Sequence, residues 1–221
     1  MAVPIICLMG FLVTLRFFSS PDVQDDPSYI IIYLCLGVAW LGGTTFIFPL
    51  LGLSERDDVV ERCNPAATWA LAGALIGVMS CFAGANIGSG PGPEVVFFCA
   101  TVSTTAFFLS WFSLELTANT SEAITVDRDE GAAIRLAGFL IATGILLGGA
   151  VAGNWESTSA TMRDFYTYGW PAIALLGVAL PLERVLNARN RPIIRDPWQS
   201  FGISLFYILI AVAWVAKRGR P

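Results

Sequence analysis

Six polar side chains stand near the ends of long apolar stretches, where they could do chemistry at the edge of hydrocarbon. An amide in such a place can hold a polar ligand or an ion, and a carboxylate can pair with an arginine across two helices. Each can equally serve the structure alone. These candidate polar sites are Asn64, Asn86, Glu115, Arg135, Asn154 and Glu183.

The asparagines occupy two kinds of position. Asn64 directly precedes Pro65 at the start of an apolar stretch, which favours a helix N-cap, with a polar ligand site as the alternative. Asn86 and Asn154 lie in the related sequences GANIG and GNW. An interhelical hydrogen bond, about 0.6–2 kcal/mol in a membrane, is their favoured role, and an amide that faces an ion or a substrate is the alternative.

The charged candidates are two carboxylates and one guanidinium. Glu115 and Glu183 each end an apolar stretch, and Arg135 begins one. Snorkelling of these side chains to the lipid headgroups is the favoured interpretation. The alternative is an ion pair between Arg135 and one of the carboxylates, which would close two helical hairpins together.

Several kinds of chemistry are excluded or disfavoured. The chain contains no histidine, which excludes histidine-ligated haem, histidine-containing zinc sites and a histidine general base. Its five cysteines form no Cys-x-x-Cys pair. The turn GSGPGP (88–93) lacks the GK[ST] ending of a phosphate loop, and the acidic segment 55–61 lacks calcium-loop spacing. We therefore predict no catalytic residue, no cofactor and no metal.

The elements that must position these residues are apolar helices. Of 221 residues, 55% are hydrophobic and only 14% are charged, well below the quarter or so that is typical of a soluble domain. We predict an all-α polytopic membrane bundle of six or seven transmembrane helices in one domain. Residues 1–18 form a short first helix or lie in the interface. The six stronger segments are 29–53, 66–87, 94–117, 131–153, 166–183 and 198–216.

The segments are predicted to form consecutive hairpin repeats. The residues around Gly73 resemble those around Gly138, 65 positions later, and both stretches carry small residues at helical spacing. In lipid, such small residues let another helix approach closely. The hairpins span approximately 29–88, 94–153 and 166–216.

Arginine distribution predicts the orientation. Arginines occur in the turns 54–65, 118–131 and 184–197, whereas the 88–93 turn contains none. Because positive charge marks the cytoplasmic side, these three turns are expected to be cytoplasmic. The tail with Lys217, Arg218 and Arg220 goes against this rule.

An acidic turn, then Asn-x-Ala at a helix start, then a glycine-containing span resembles the bacterial membrane family of domain of unknown function 350, over about residues 30–153. The matching residues are Glu61, Asn64, Ala66, Ala67, Gly73 and Gly77. In the second copy Asp129, Glu130 and Gly131 replace Asn-Pro-Ala, while Ala132, Ala133 and Gly138 remain. The resemblance implies duplicated two-helix hairpins in a bacterial inner-membrane protein, and it supplies no catalytic residue.

Together these features favour a non-enzymatic subunit of a membrane complex or of a channel-like assembly. Its expected partners are the lipid bilayer and either further copies of the chain or another membrane protein. No basic patch is present for nucleic acid. A small-solute or ion transporter is the alternative. It is disfavoured because the predicted spans show no firm buried ionisable residue and little glycine or proline interruption, the features that usually mark such a site. A lipid-modifying enzyme is the least favoured.

Overall fold

The computed structural model describes residues 2–186 and 197–218, and this part of the chain is built from α-helices. A 3₁₀ turn over Phe48–Leu51 and a π-helical turn over Glu55–Glu61 connect the third and fourth helices. The helices are α1 (Val3–Phe18), α2 (Pro21–Asp25), α3 (Pro27–Thr45), α4 (Pro65–Ala85), α5 (Pro93–Ala118), α6 (Thr120–Thr125), α7 (Glu130–Val151), α8 (Thr158–Leu186) and α9 (Pro197–Arg218).

Six of these helices (α3, α4, α5, α7, α8 and α9) are long and apolar enough to cross a membrane. The predicted all-α polytopic bundle is therefore confirmed. The first predicted span, 29–53, is too long, because α3 ends at Thr45. Pro49 lies in the first positions of the 3₁₀ turn, which ends at Gly52 with a left-handed φ of 81°. Proline cannot continue the hydrogen bonding of a helix, so the chain turns here.

Four helices, α1, α4, α7 and α9, run in the same direction and lie side by side in a row. Gly73 of α4 contacts Ala137 of α7, and Gly84 of α4 contacts Gly148 of α7. Residue numbers therefore increase in the same direction along both helices. On the other side of α7, Gly138 meets Ser204 and Gly149 meets Val215 of α9. The Phe18 carbonyl at the end of α1 accepts a hydrogen bond from Gly88 N, just beyond α4.

Three helices, α3, α5 and α8, return in the opposite direction. Trp40 of α3 packs on Phe82 of α4, with 5.6 Å between ring centroids, and its indole N–H donates to Thr104 Oγ1 of α5 at 3.3 Å. Farther along, Phe48 packs on Trp111 of α5 with 5.5 Å between centroids. Aromatic contacts of this kind stabilise the return helices against the row.

Helix α7 lies at the centre of the bundle, and nearly all of its side chains are buried. Its contact with α4 is made by backbone atoms: a Cβ added to Gly84 would lie 2.2 Å from the Gly148 carbonyl oxygen, and one added to Gly144 would lie 2.3 Å from the Gly77 carbonyl oxygen. The predicted role of the small residues is therefore seen directly. Helices α4 and α7 can approach this closely because glycine carries a hydrogen atom in place of a side chain.

The arginine-bearing turns 54–65 and 118–131 lie at one end of the bundle, which we call the arginine end. Arg128 Nη2 donates to the Arg62 carbonyl oxygen at 3.2 Å, which joins the turns 54–65 and 118–131. Arg184, near the end of α8, belongs to the same end. The other arginines of the predicted turn 184–197, namely Arg189, Arg191 and Arg195, lie outside the described residues. The opposite end, formed by the turns after α1, α4 and α7, is called the glycine-turn end.

We expect Gly84→Ala to lower the stability of the protein by about 1–3 kcal/mol, because the added methyl group would overlap the backbone of α7. Thermal unfolding of the purified protein in detergent measures the effect. The matched control is Gly177→Ala in α8, where an added Cβ meets nothing within 4 Å. Equal melting temperatures for the two variants would contradict the proposed role of the α4–α7 contact.

Candidate functional site

A buried ion pair joins three helices near the arginine end. Arg135 Nε of α7 donates to both carboxylate oxygens of Glu183 in α8, at 2.9 and 3.1 Å, and Arg135 Nη1 donates to Ser200 Oγ of α9 at 3.0 Å. The side chains of Arg135 and Glu183 are only 1% and 2% exposed. A guanidinium and a carboxylate at this depth neutralise one another and avoid the cost of an isolated buried charge.

The helix arrangement explains why this pair forms. Arg135 lies in the second turn of α7 and Glu183 in the last turn of α8, which runs antiparallel to α7. Because α8 and α9 both cover this part of α7, the side chains cannot extend to the headgroups. The favoured snorkelling interpretation is thus wrong for Arg135 and Glu183, and the alternative of an ion pair between hairpins is correct.

Two residues of this cluster were missed from the sequence. Ser200 and Tyr207 lie seven positions apart on α9, so about two helical turns separate them on one face. Tyr207 is 2% exposed, lies within electrostatic range of Glu183 and Arg135, and its hydroxyl makes no hydrogen bond with any described residue. The available sequence signal is the helical spacing of Ser200, Ser204 and Tyr207, which places three polar groups on one face of α9. Three such residues are too few to stand out in an apolar helix.

Asn64 caps α4, as predicted. Its Oδ1 accepts from Ala66 N at 3.0 Å and from Ala67 N at 3.5 Å, while its Nδ2 donates to the Ile124 carbonyl oxygen at 2.8 Å. The side chain is fully buried. Both ends of the amide are therefore engaged in joining α4 to α6, which favours the structural role over the ligand alternative.

Glu115 does not meet Arg135, and its carboxylate is bonded to the residues of the following turn. Its carboxylate accepts from Thr120 Oγ1 at 2.6 Å, from Ser121 N at 2.9 Å and from Ser121 Oγ at 2.5 Å. The chain turns at Asn119, which has a left-handed φ of 47°, and this turn brings α6 back onto the end of α5. Such local bonds satisfy the N–H groups that are free at the start of α6.

The two remaining amides lie at the glycine-turn end and differ. Asn86 Nδ2 donates to the Phe82 carbonyl oxygen of its own helix at 2.8 Å, so the predicted interhelical bond is wrong at Asn86. The last carbonyls of a helix lack intrahelical partners and are available to such a side chain. Asn154 Oδ1 accepts from Ser89 N at 2.9 Å, so Asn154 joins the turn after α7 to the turn after α4.

The turns at this end line a partly open cavity of about 60 Å³, enough for a few water molecules or a small ion. Its polar lining comes from the linker after α1, from α3, from the ends of α4 and α7 and from the start of α8. Within residues 2–186 and 197–218, no three histidine, cysteine or carboxylate side chains gather in a way that could hold a metal. The polar side chains that line the cavity include those of Tyr33, Asn86, Asn154 and Asp164.

Comparison with known proteins gives one match. A family model described as Domain of Unknown Function (DUF350) matches residues 93–219, from the start of α5 to just beyond α9. No curated protein and no solved structure matches the chain. The matched region shares residues 93–153 with the resemblance inferred from the sequence motifs, and it contains Arg135, Glu183 and Ser200, whereas the first motif, around Asn64, precedes it.

We expect Arg135→Met or Glu183→Met alone to lower the free energy of unfolding by about 3–5 kcal/mol, because each leaves one buried charge without its partner. The double variant should recover most of that loss, since two apolar side chains replace the pair. Equilibrium unfolding in mixed micelles measures all three variants.

The matched control for these single and double variants is the exposed pair Arg56–Glu61, whose side chains are 85% and 56% exposed. The same methionine substitutions there should cost less than about 1 kcal/mol. If the double variant Arg135→Met/Glu183→Met loses as much free energy of unfolding as the two single variants together, the buried pair is not coupled and the prediction is contradicted.

Proposed function

Since this chain belongs to the family described as Domain of Unknown Function (DUF350), a description that states no activity, we propose its function from its own structure: it is a non-enzymatic subunit of a membrane assembly. The observation that carries the proposal is the way its candidate polar groups are used. Asn64, Glu115, Asn154 and the Arg135–Glu183 pair each join elements of the bundle. Groups that are engaged in this way support a scaffold more than a reacting centre.

The packing at the centre of the bundle supports an assembly over a pore within one chain. Backbone atoms of α4 and α7 are in contact at Gly73, Gly77 and Gly84. The cavity at the glycine-turn end lies beyond these contacts and is lined by residues from the ends of the helices. A channel-like function would therefore need a path between copies of the chain or between the chain and another membrane protein.

The outer helices leave room for such partners. In α3 and α9 only 22% of the most apolar window is buried inside the bundle, compared with 83% in α7. Lipid covers these sides in a single chain, and further copies or a second membrane protein would cover part of them in an assembly. The proposed partners are thus the bilayer and either a homo-oligomer or a membrane-complex partner.

A small-solute or ion transporter is the second candidate, and the buried ion pair favours it. Ionisable residues within membrane-spanning helices often mark ion or substrate pathways. The transporter was disfavoured partly because such residues were not recognised in the spans, yet Arg135 and Glu183 are fully enclosed there. Their direct bonds to one another favour a structural role in the state described.

We also propose that the protein lies in a bacterial inner membrane with its arginine end in the cytoplasm. Arg56, Arg62, Arg128 and Arg184 lie at that end, and short arginine-bearing turns set orientation. Arg16, Arg163 and Lys217 lie at the opposite end and weaken the bias.

The orientation predicts that the native Cys63, which is exposed at the arginine end, is unreactive towards a membrane-impermeant maleimide in intact cells. It should react after permeabilisation. Ser157→Cys, in the turn between α7 and α8, is expected to react from outside in a Cys63→Ser background. Reaction of Cys63 in intact cells, with protection of the cysteine at 157, would reverse the proposed orientation.

The assembly proposal predicts a solubilised particle with more than one protein chain, and no flux of rubidium ions or protons into liposomes above the protein-free level. Light scattering with correction for detergent measures the first quantity, and tracer uptake and a pH-sensitive dye measure the second. Monomers at every concentration and without any bound partner would overturn the assembly. Flux that Glu183→Gln abolishes in a folded protein would favour the transporter.

A further inference from the structure

We propose that the cavity at the glycine-turn end binds a small monovalent cation, an alkali metal ion or ammonium, with Asp164 and Asn86 as principal ligands. The cavity has a volume of about 60 Å³ and is formed by segments that are far apart in the sequence. It is distinct from the buried ion pair, which lies near the arginine end. The proposal does not depend on the role of the protein in an assembly.

The charge of the lining selects a cation. Asp164, in the second turn of α8, supplies the carboxylate of the lining. The described residues that line the cavity include neither lysine nor arginine. Glu94, at the start of α5, lies within electrostatic range of Tyr33, which also lines the cavity. Arg16, in the last turn of α1, donates to the Gln24 carbonyl oxygen, and Arg163 is exposed and is not among the residues that line the cavity.

The hydrogen bonds of the surrounding turns leave oxygen atoms available. Asn86 is 6% exposed, its Nδ2 is bonded to Phe82, and its Oδ1 accepts no hydrogen bond from any described residue. Oxygen ligands of this kind, together with a carboxylate, suit a hard cation. Backbone N–H groups around the cavity are in contrast largely used within the turns, namely those of Gly88, Ser89, Gly153 and Trp155.

The size and charge of the cavity favour a monovalent ion over a divalent one. Calcium and similar ions take six to eight oxygens, several of them from carboxylates. One lining carboxylate gives too little charge for that, whereas it balances a single positive charge. A volume of about 60 Å³ admits an alkali ion with one or two waters, or ammonium.

The site is preorganised by the backbone contact between two turns. Gly88 and Gly153 have positive φ values of 100° and 145°, and a Cβ added to Gly88 would lie 2.4 Å from the Gly153 carbonyl oxygen. Gly153 N donates to the Ile87 carbonyl oxygen at 3.0 Å. Because the turns are already held together, ion binding does not have to order them.

The test compares the melting temperature of the purified full-length protein in sodium, potassium or ammonium chloride with that in N-methyl-D-glucamine chloride at equal ionic strength. A bound ion stabilises the folded state, and we expect a rise of about 2–4 °C with at least one small cation. Asp164→Asn should abolish the rise. Glu156→Gln, which changes an exposed carboxylate outside the lining, should retain it.

A cation-dependent rise that persists in Asp164→Asn would overturn the proposal, as would the absence of any rise in the native protein. If Asp164→Asn fails to fold, direct binding to the native protein decides the matter. Saturable binding of radioactive sodium or rubidium that unlabelled alkali ions or ammonium displace, and that N-methyl-D-glucamine does not, would support the site. Absence of saturable binding would overturn it.

Discussion

Direct backbone contact between α4 and α7 is the constraint on which the rest of the bundle depends. In hydrocarbon, no release of water favours the association of two apolar helices, so close van der Waals approach must supply the attraction. Glycines such as Gly84 and Gly144 permit that approach. Once α4 lies so close, α7 is covered by α9 on its other side and by α5 and α8 across the remaining face, and its position in the bundle is fixed.

The two ends of the bundle have different chemistry as a result. At the arginine end, side chains connect the helices: the Arg135–Glu183 pair connects α7 to α8, and Asn64 connects α4 to α6. At the glycine-turn end, backbone groups do most of it, and the side chains of Asn86 and Asp164 are left beside a cavity. Any function of the protein must be consistent with this polarity.

The sequence predicts the spans well, because length and hydropathy are local properties. It also predicts the Asn64 cap, which needs only the neighbouring Pro65 and the helix that follows. The burial of Arg135 depends instead on coverage by α8 and α9, and the cavity depends on five separated segments, so neither follows from local pattern. The interhelical bond predicted for Asn86 does not form, because a residue that ends a helix can reach a carbonyl of that same helix, here the one of Phe82. The hairpin repeat over 29–88, 94–153 and 166–216 stays a prediction.

The Arg135–Glu183 pair also bears on how the chain enters the membrane. The two residues are 48 positions apart, so during synthesis α7 emerges with its guanidinium well before the matching carboxylate exists. Arg135 lies in the second turn of α7, so its cost without a partner is smaller than the figure of about 2.5–3.5 kcal/mol for an arginine at the centre of a helix. The carboxylate that offsets this cost arrives only with α8, so α7 reaches its lowest free energy in the membrane once α8 has been added beside it.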